Sequence, residues 1–222
     1  MVPRNESIEQ LTTKISKEMK HLRIQFDNEE ISLSFDKNYF EGLSYLEKLD
    51  FHLDGNFKAN ISANVFENLV NLKSLELYYL PIPNNSGIYD TLENLQNLTI
   101  ISDFDIEFQR SDFKNLRNLV LLYIFCSDNC SKCSLDSFIF ENLVDLKMLR
   151  IMNFQIPGIK LANMIHLQFV HLVDTDFKEL PEDFFKNSTK IEVIELSRHQ
   201  LESIPGDIFV EIFRKFFKVS IH

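Results

Sequence analysis

Three cysteines are the residues whose type and spacing offer the most definite chemistry in this 222-residue chain. Cys126, Cys130 and Cys133 lie in one short segment and are the whole thiol inventory. In an oxidising compartment two of them would form a local disulfide and one would be left over, with the pairing undecided by the sequence. A zinc site would need a fourth ligand, for which only Asp128 or Asp136 is close. Three reduced thiols in a cytosolic loop are the remaining alternative.

We therefore treat the three cysteines as disulfide candidates and predict neither a metal ion nor a cofactor.

Asparagine-linked glycosylation is the second chemistry that the sequence offers. Chance would place about two of the 19 Asn in Asn-x-Ser/Thr sequons. Six sequons are present, at Asn5, Asn60, Asn84, Asn97, Asn129 and Asn187. The excess favours a secreted chain, with an Asn-rich composition as the alternative explanation. Asn97 is an awkward acceptor, because it directly precedes Leu98, which we predict to point inward.

Motifs for catalysis are absent from the sequence. It has five Gly and lacks a Gly-rich phosphate loop, a G-x-S-x-G elbow and an H-E-x-x-H pair. The six His are scattered, at His21, His52, His166, His171, His199 and His222. A histidine without a nucleophile beside it is more often solvated or ligand-contacting than a catalytic base. We predict a binding protein and not an enzyme.

A repeat positions these residues, and it is clearest over residues 167–212. Its two copies there are Leu167-x-x-Val170-x-Leu172 with Leu180-Pro181 and Phe185, and Ile191-x-x-Ile194-x-Leu196 with Ile204-Pro205 and Phe209. The first three apolar positions need a short strand whose fourth and sixth residues point inward. The Pro suits a non-helical return segment, and the Phe fills the gap between neighbouring coils. One leucine-rich repeat thus predicts one coil of a solenoid.

The same pattern extends along almost the whole chain. Strand starts recur every 21 to 27 residues, at Met19, Leu46, Leu72, Leu95, Leu119, Leu146, Leu167, Ile191 and Phe216. The predicted inward pairs are Leu22 and Ile24, Leu49 and Phe51, Leu75 and Leu77, Leu98 and Ile100, Leu122 and Ile124, Leu149 and Ile151, Val170 and Leu172, Ile194 and Leu196, and Val219 and Ile221. A second row predicts an aromatic spine on the outer side, at Phe40, Phe66, Leu92, Phe113, Phe140, Leu161, Phe185 and Phe209. Nine copies in near-constant register are specific evidence for a solenoid.

The repeat also sets the predicted domain organisation. Residues 19–222 form a leucine-rich-repeat domain of about eight full repeats and a final strand, because each coil buries its face only against its neighbours. Residues 1–18 precede the first coil and carry Ile8, Leu11 and Ile15 at helical spacing, which is compatible with a capping helix or a frayed terminus. No apolar run approaches the roughly 18 residues of a membrane span. The net charge of −10 argues against a nucleic-acid partner.

The outward strand positions predict a binding surface in the middle of the concave face. On the first two coils they are polar, from His21, Arg23 and Gln25 to Lys48, Asp50 and His52, and indicate an ordinary solvated face. Apolar and aromatic residues appear among them from coil three onward and dominate on coils five to seven. We name these residues the central patch: Tyr78, Tyr79, Ile101, Leu121, Tyr123, Phe125, Met148, Arg150, Met152, Phe169, His171 and Val173. Soluble proteins rarely expose such a patch, so a ligand or another part of the chain is expected to cover it.

The repeat spacing, the Leu-Pro-x-x-x-Phe segment and the sequons resemble the typical class of extracellular leucine-rich repeats, as in Toll-like receptors and arthropod immune and adhesion proteins. The resemblance covers roughly residues 19–221. It implies an α/β fold, a right-handed horseshoe with a concave parallel sheet and a convex side of irregular, 3-10 or short helical segments. It also implies recognition of a protein or microbial ligand on the concave face, often as a dimer, in an extracellular or cell-surface protein of innate immunity or adhesion.

Two other functions stay open at this stage, an intracellular repeat adaptor or scaffold and a structural adhesion protein that self-associates. No secretory signal follows Met1, so a cytoplasmic location is the alternative to an extracellular one.

The cysteine-rich caps of the family are also missing, and the last strand is open, from which we expect a fragment of a longer protein. The ninth repeat position, usually Asn in the family, is apolar at Leu80 and Phe154, so we expect coils three and six to be locally irregular.

Overall fold

The structure is a computed structural model that describes residues 19–27, 32–54, 58–84, 86–197, 201 and 204–209. Within them, eight strands form one parallel sheet and follow each other in chain order. They are β1 (His21–Asp27), β3 (Lys48–Asp54), β5 (Ser74–Tyr78), β6 (Asn97–Ser102), β8 (Leu121–Cys126), β10 (Met148–Met152), β11 (Phe169–Val173) and β12 (Val193–Ser197). The chain therefore advances by one strand per coil, and the predicted leucine-rich-repeat solenoid is confirmed.

The alternation of side chains along these strands builds the core. The predicted inward pairs of β3 to β12 are all at most 1% exposed, from Leu49 and Phe51 to Ile194 and Leu196. On β1, Ile24 is buried and Leu22 is half-buried, because this strand begins the described sheet. The predicted ninth pair, Val219 and Ile221, and the segment 1–18 lie outside the described residues.

The outer row of apolar residues packs as a continuous spine. Phe40, Phe66, Leu92, Phe113, Phe140, Leu161 and Phe185 are all buried, whereas the side chain of Phe209 is outside the described part of the chain. The rings of Phe40 and Phe66 are stacked with their centres 5.9 Å apart, one coil above the other. This confirms that the row fills the space between coils, as close packing of a solenoid interior requires.

Two small parallel sheets on the return segments were not predicted. One pairs β2 (Ser32–Phe35) with β4 (Lys58–Ile61), and the other pairs β7 (Ile106–Phe108) with β9 (Cys133–Leu135). Between them, the third coil runs through Pro81 and Pro83, which have no amide hydrogen to donate to a neighbouring strand. The two prolines thus explain why the return side carries two short sheets instead of one long one.

The remaining return segments are turns. Among the described residues the one helical element is a 3-10 helix at Gly206–Phe209. A search of the same residues finds no helix with the length and apolar character that crossing a membrane requires.

Three coils leave the concave sheet through a residue in the left-handed conformation. Tyr79, Asn153 and Asp174 have φ angles of 60°, 60° and 53°. Each donates its amide hydrogen to the next coil, as Tyr79 does to the carbonyl of Ile101 at 2.7 Å. The residue that follows each of them is buried, namely Leu80, Phe154 and Thr175. The irregular exits expected on coils three and six are therefore present, with an apolar side chain turned into the core at each. Coil seven shares this geometry although its buried residue, Thr175, is polar, so the exit does not depend on an apolar residue alone.

Asparagine ladders hold the opposite edge of the coils, before the strands begin. The side-chain amides of Asn71, Asn94 and Asn118 donate to the carbonyls of the preceding coil, at Ser44, Val70 and Glu93, over 2.8 to 2.9 Å. Asn68 and Asn115 do the same at a neighbouring position. The ladders were missed from sequence, although the recurring Leu-x-Asn-Leu signals them. None of these five asparagines is in a sequon, so the abundance of Asn has a structural cause separate from glycosylation.

Candidate binding face

The parallel register brings the predicted central patch together in three rows across the concave sheet. The first row places Leu121, Met148 and Phe169 side by side on β8, β10 and β11. The middle row aligns Tyr123, Arg150 and His171 in the same way. The third row runs across five strands through Tyr78, Ile101, Phe125, Met152 and Val173. Tyr79 lies directly past the end of β5, so all twelve predicted residues occupy one region of the face.

The patch is partly open to solvent, with three exposed side chains among half-buried ones. Met148 and Phe169 are 39% and 37% exposed, and Arg150 is also exposed. The tyrosines, Phe125 and Met152 are half-buried. Val173 differs from the prediction, because its side chain is buried and contributes little surface. The exposed part is therefore a ridge of aromatic, Met and Leu side chains with one cation, Arg150, in its middle.

Arg150 and His171 are held in place by side chains of adjacent strands. The guanidinium of Arg150 lies over the Tyr123 ring, 4.9 Å from its centre, in cation–π geometry. The hydroxyl of Tyr123 faces the sulfur of Met152 at 3.8 Å. His171 lies 3.5 Å from a carboxylate oxygen of Glu195 on the outermost described strand. These contacts fix the positions of the Arg150 guanidinium and the His171 ring among the apolar side chains of the patch.

Tyr78 forms the boundary between the patch and the polar first coils. Its ring stacks on His52 with the centres 4.0 Å apart, and its hydroxyl donates to Glu76 at 3.1 Å. Burial and the nearby Glu76 carboxylate raise the pKa of Tyr78, so the phenol stays protonated and remains a donor.

The first two coils differ from the solvated face that the sequence predicted. Asp50 is fully buried, with Arg23 Nη2 at 2.8 Å and His21 Nε2 at 2.9 Å from its Oδ2. Lys48 lies 3.3 Å from the other carboxylate oxygen and 2.7 Å from Glu76. Burial raises the pKa of Asp50, but the hydrogen bonds from Arg23, His21 and Lys48 outweigh it and hold the pKa below its usual value. The prediction is therefore wrong for Asp50, because Arg23 and His21 of the adjacent strand contact its carboxylate, whereas the outward side chains of β1 are exposed as predicted.

The three cysteines meet at the end of β8. Cys126 Sγ contacts the sulfurs of both Cys130 and Cys133 at disulfide-bonding distance. Among the described residues they also form a group of three potential metal ligands within 4.8 Å of one another. Cys126 and Cys133 are buried, whereas Cys130 is half-buried in the turn between them. The structure thus brings the three disulfide candidates together at one place, and the choice of pairing stays a prediction.

Four of the sequon asparagines are at the surface. Asn60, Asn84, Asn129 and Asn187 are exposed, whereas Asn97 is half-buried at the start of β6. Asn5 lies outside the described residues. Four acceptors are thus accessible as a glycan requires, and Asn97 lies at the edge of the concave sheet, as its spacing predicted.

Comparison with known proteins supports the leucine-rich-repeat fold. No protein-family model matches the chain. Osteomodulin of Rattus norvegicus is 25% identical over 172 residues, which cover 67% of this chain and 41% of that protein. Toll-like receptor 8 of Homo sapiens is 28% identical over 140 residues, covering 55% of this chain and 13% of that protein. The chain thus spans less than half the length of these relatives.

Solved structures share the solenoid at low sequence identity. Internalin C2 from Listeria monocytogenes gives a TM-score of 0.65 with 18% identity, over 97% of this chain and 91% of that one. TLR13 in complex with ssRNA13 gives 0.62 with 16% identity, over 95% and 32%. The Toll–Spätzle complex of Drosophila gives 0.50 with 16% identity, over 84% and 31%. The RNA complex means that the exclusion of nucleic acid by net charge stays a prediction.

Proposed function

We propose that this protein is a recognition module that binds a protein or microbial peptide ligand through the central patch of its concave face, without catalysis. The observation that carries the proposal is the three-row alignment of half-exposed aromatic, Met and Leu side chains around Arg150. Aromatic residues and Arg are the residue types that dominate binding hot spots, and a bare apolar surface of this kind is unfavourable in water.

The charge pattern of the face indicates where a ligand would be oriented. On one side of the patch, Arg23 and Lys48 are engaged by Asp50 and Glu76, so their positive charge is largely neutralised. On the other side, Glu195 lies beside His171. With a net charge of −10 and Glu195 at this side of the patch, the protein favours a ligand that combines an apolar segment with a basic residue near Glu195.

We infer an extracellular or cell-surface location and a receptor-like role in immunity or adhesion, with residues 19–222 as one repeat domain. Support comes from four exposed sequon asparagines and from the three cysteines, whose sulfurs lie within 4.8 Å of one another. Expression in secretory cells should give a glycoprotein whose mobility increases after glycosidase digestion. Changing Asn60, Asn84, Asn129 and Asn187 each to Gln should remove one step of that shift. No shift in the wild type would favour an intracellular adaptor.

The patch itself is tested by peptide selection with a matched control. A displayed peptide library is selected on the folded wild type and then counter-screened on Tyr123→Ser/Phe125→Ser. The control, Val144→Ser/Ile165→Ser, removes a similar apolar area from exposed positions away from the concave strands. Peptides that bind the wild type and the control but lose at least tenfold in affinity for the patch variant support the proposal.

Equal binding of all selected peptides to the patch variant would remove the central patch as the site. Thermal unfolding of each variant separates loss of affinity from loss of structure, because half-exposed side chains should cost little stability. Light scattering on the free protein tests the alternative of a self-associating structural adhesion protein. Such a protein would form dimers or larger species, and the patch variant would form them to the same extent.

A further inference from the structure

Arg150 differs from the other Lys and Arg side chains of the concave sheet in having no carboxylate partner. The Lys and Arg residues of the eight strands are Arg23, Lys48 and Arg150. Arg23 and Lys48 both contact the carboxylate of Asp50. Among the described residues, the exposed guanidinium of Arg150 contacts the Tyr123 ring but forms no ion pair or hydrogen bond. Its five N–H donors are therefore available to a ligand.

The carboxylates that share a row with Arg150 are held by other residues. The row reaches Glu195 two strands away in one direction and Glu76 three strands away in the other. With about 4.8 Å between adjacent strands, these positions lie about 10 and about 14 Å from Arg150. Glu195 lies beside His171, and Glu76 is engaged by Lys48. The described part of the chain thus leaves the positive charge of Arg150 to a partner.

A ligand that covers the central patch takes Arg150 out of water. Met148 and Phe169 of the first row lie on one side of it, and Phe125 and Met152 of the third row lie on the other. A buried charge without a partner is strongly unfavourable, so a wholly apolar ligand would lose affinity at this point. A carboxylate opposite the guanidinium removes that cost and accepts two parallel hydrogen bonds.

We propose that Arg150 is the specificity-determining residue of the central patch and binds an Asp or Glu side chain within an apolar peptide segment. The inference rests on the proposed recognition function, because it names the ligand chemistry of the same surface. The acidic residue is internal to the segment, since apolar rows flank Arg150 on both sides. One unpaired Arg matches one carboxylate, whereas nucleic acid requires clustered Lys and Arg to contact successive phosphates.

Glu195 gives the ligand a second charged position on the same row. An extended peptide that crosses the strands advances about 3.3 Å per residue, so the distance of about 10 Å from Arg150 to Glu195 corresponds to about three residues. A Lys or Arg of the ligand at about this spacing from its acidic residue would lie next to Glu195. The expected signature is therefore an acidic and a basic residue about three positions apart among aromatic and aliphatic residues.

Peptides selected from a displayed random library on the wild type test this signature. Those that lose affinity for Tyr123→Ser/Phe125→Ser depend on the patch, and we expect an Asp or Glu at one fixed position among them. Arg150→Met should weaken these peptides by about tenfold or more, because it leaves their carboxylate without a partner. Arg117→Met is the matched control, since it removes an exposed positive charge outside the concave strands, and it should leave the affinity unchanged.

Variants of the peptide test the same contact with the protein unaltered. Changing the acidic residue to its amide should weaken binding to the wild type by about the factor seen for Arg150→Met, and combining the two changes should add little. Arg150→Glu should bind a peptide with Lys at the acidic position more tightly than the original peptide. Arg150→Lys should retain part of the affinity, because its ammonium group keeps the charge but lacks the two-pronged geometry.

The outcomes separate this inference from the proposed function. Patch-dependent peptides without a preferred acidic residue, or with equal affinity for the wild type and Arg150→Met, would overturn the role of Arg150 and leave the concave site standing. Failure to obtain any patch-dependent peptide would overturn both. A single-stranded oligouridylate that binds the wild type and loses affinity for Arg150→Met would make Arg150 a phosphate contact and overturn the assignment to a peptide.

Discussion

The guanidinium carbon of Arg150 lies 4.9 Å from the centre of the Tyr123 ring, and the two residues are direct neighbours across β8 and β10. A cation over an aromatic ring at a solvent-exposed site contributes about 0.5 to 1 kcal/mol. A double-mutant cycle with Arg150→Met and Tyr123→Leu should therefore give a coupling free energy of unfolding in that range.

The control cycle combines Arg150→Met with Tyr45→Leu, a residue of the first coil far from Arg150, and its coupling should be close to zero. If both cycles give the same coupling free energy, the Tyr123 ring does not hold Arg150. The guanidinium then has no fixed position in the patch.

Asp50 predicts a pH dependence of stability. Its pKa is lower in the folded protein than its ordinary value, so its contribution is complete above the unfolded value of about 3.9 and is lost as the pH falls through the folded value. Asp50→Asn should lower the free energy of unfolding by about 1.5 to 3 kcal/mol near neutral pH, as expected for hydrogen bonds to a charged group.

Denaturant unfolding of the wild type and Asp50→Asn should show this difference shrinking below about pH 4. Asp145→Asn, at an exposed position outside the network, should track the wild type at every pH. A difference for Asp50→Asn that is constant down to strong acid would mean that the buried group is not an ionised carboxylate.

Tyr89 carries a buried hydroxyl whose removal should not lower the free energy of unfolding. The residue is buried, and its hydroxyl has no hydrogen-bond partner among the described residues. Its ring packs 5.8 Å from that of Phe113 in the spine. Tyr89→Phe should leave the free energy of unfolding unchanged or raise it by up to about 2 kcal/mol, since an unpaired buried polar group is unfavourable.

Tyr89→Ala is the matched comparison, and it should cost about 3 to 5 kcal/mol by opening a cavity beside the spine. Thermal unfolding of both variants measures the contrast. A loss of more than about 1 kcal/mol in Tyr89→Phe would show that the hydroxyl has a partner.

The asparagine ladder predicts a cost for an isosteric change. Asn94 donates its side-chain amide to the carbonyl of Val70 at 2.9 Å. Asn94→Asp keeps the shape but places a carboxylate oxygen against that carbonyl, so the free energy of unfolding should fall by about 1 kcal/mol. Glu93→Gln, a charge change at the adjacent exposed position, should stay within about 0.5 kcal/mol. Equal effects in the two variants would attribute the change to surface charge.

The sequence by itself determined the solenoid and the residues that face its inside and outside. Strand starts such as Leu72 and inward pairs such as Leu75 and Leu77 follow from a period that belongs to the chain alone. The spine residues and the outward positions of the central patch follow from the same period. A shift of the strand register by one residue would turn every inward side chain to the outside. The apolar pattern therefore specifies one register.

The tertiary structure decided what happens between coils. That Asp50 is buried beneath Arg23, that Asn94 bonds the preceding coil, and that Val173 is covered all depend on residues about 20 to 27 positions away in sequence. Periodicity fixes the direction of a side chain, but its burial and partners depend on the side chains of adjacent coils, which only the folded chain brings into contact.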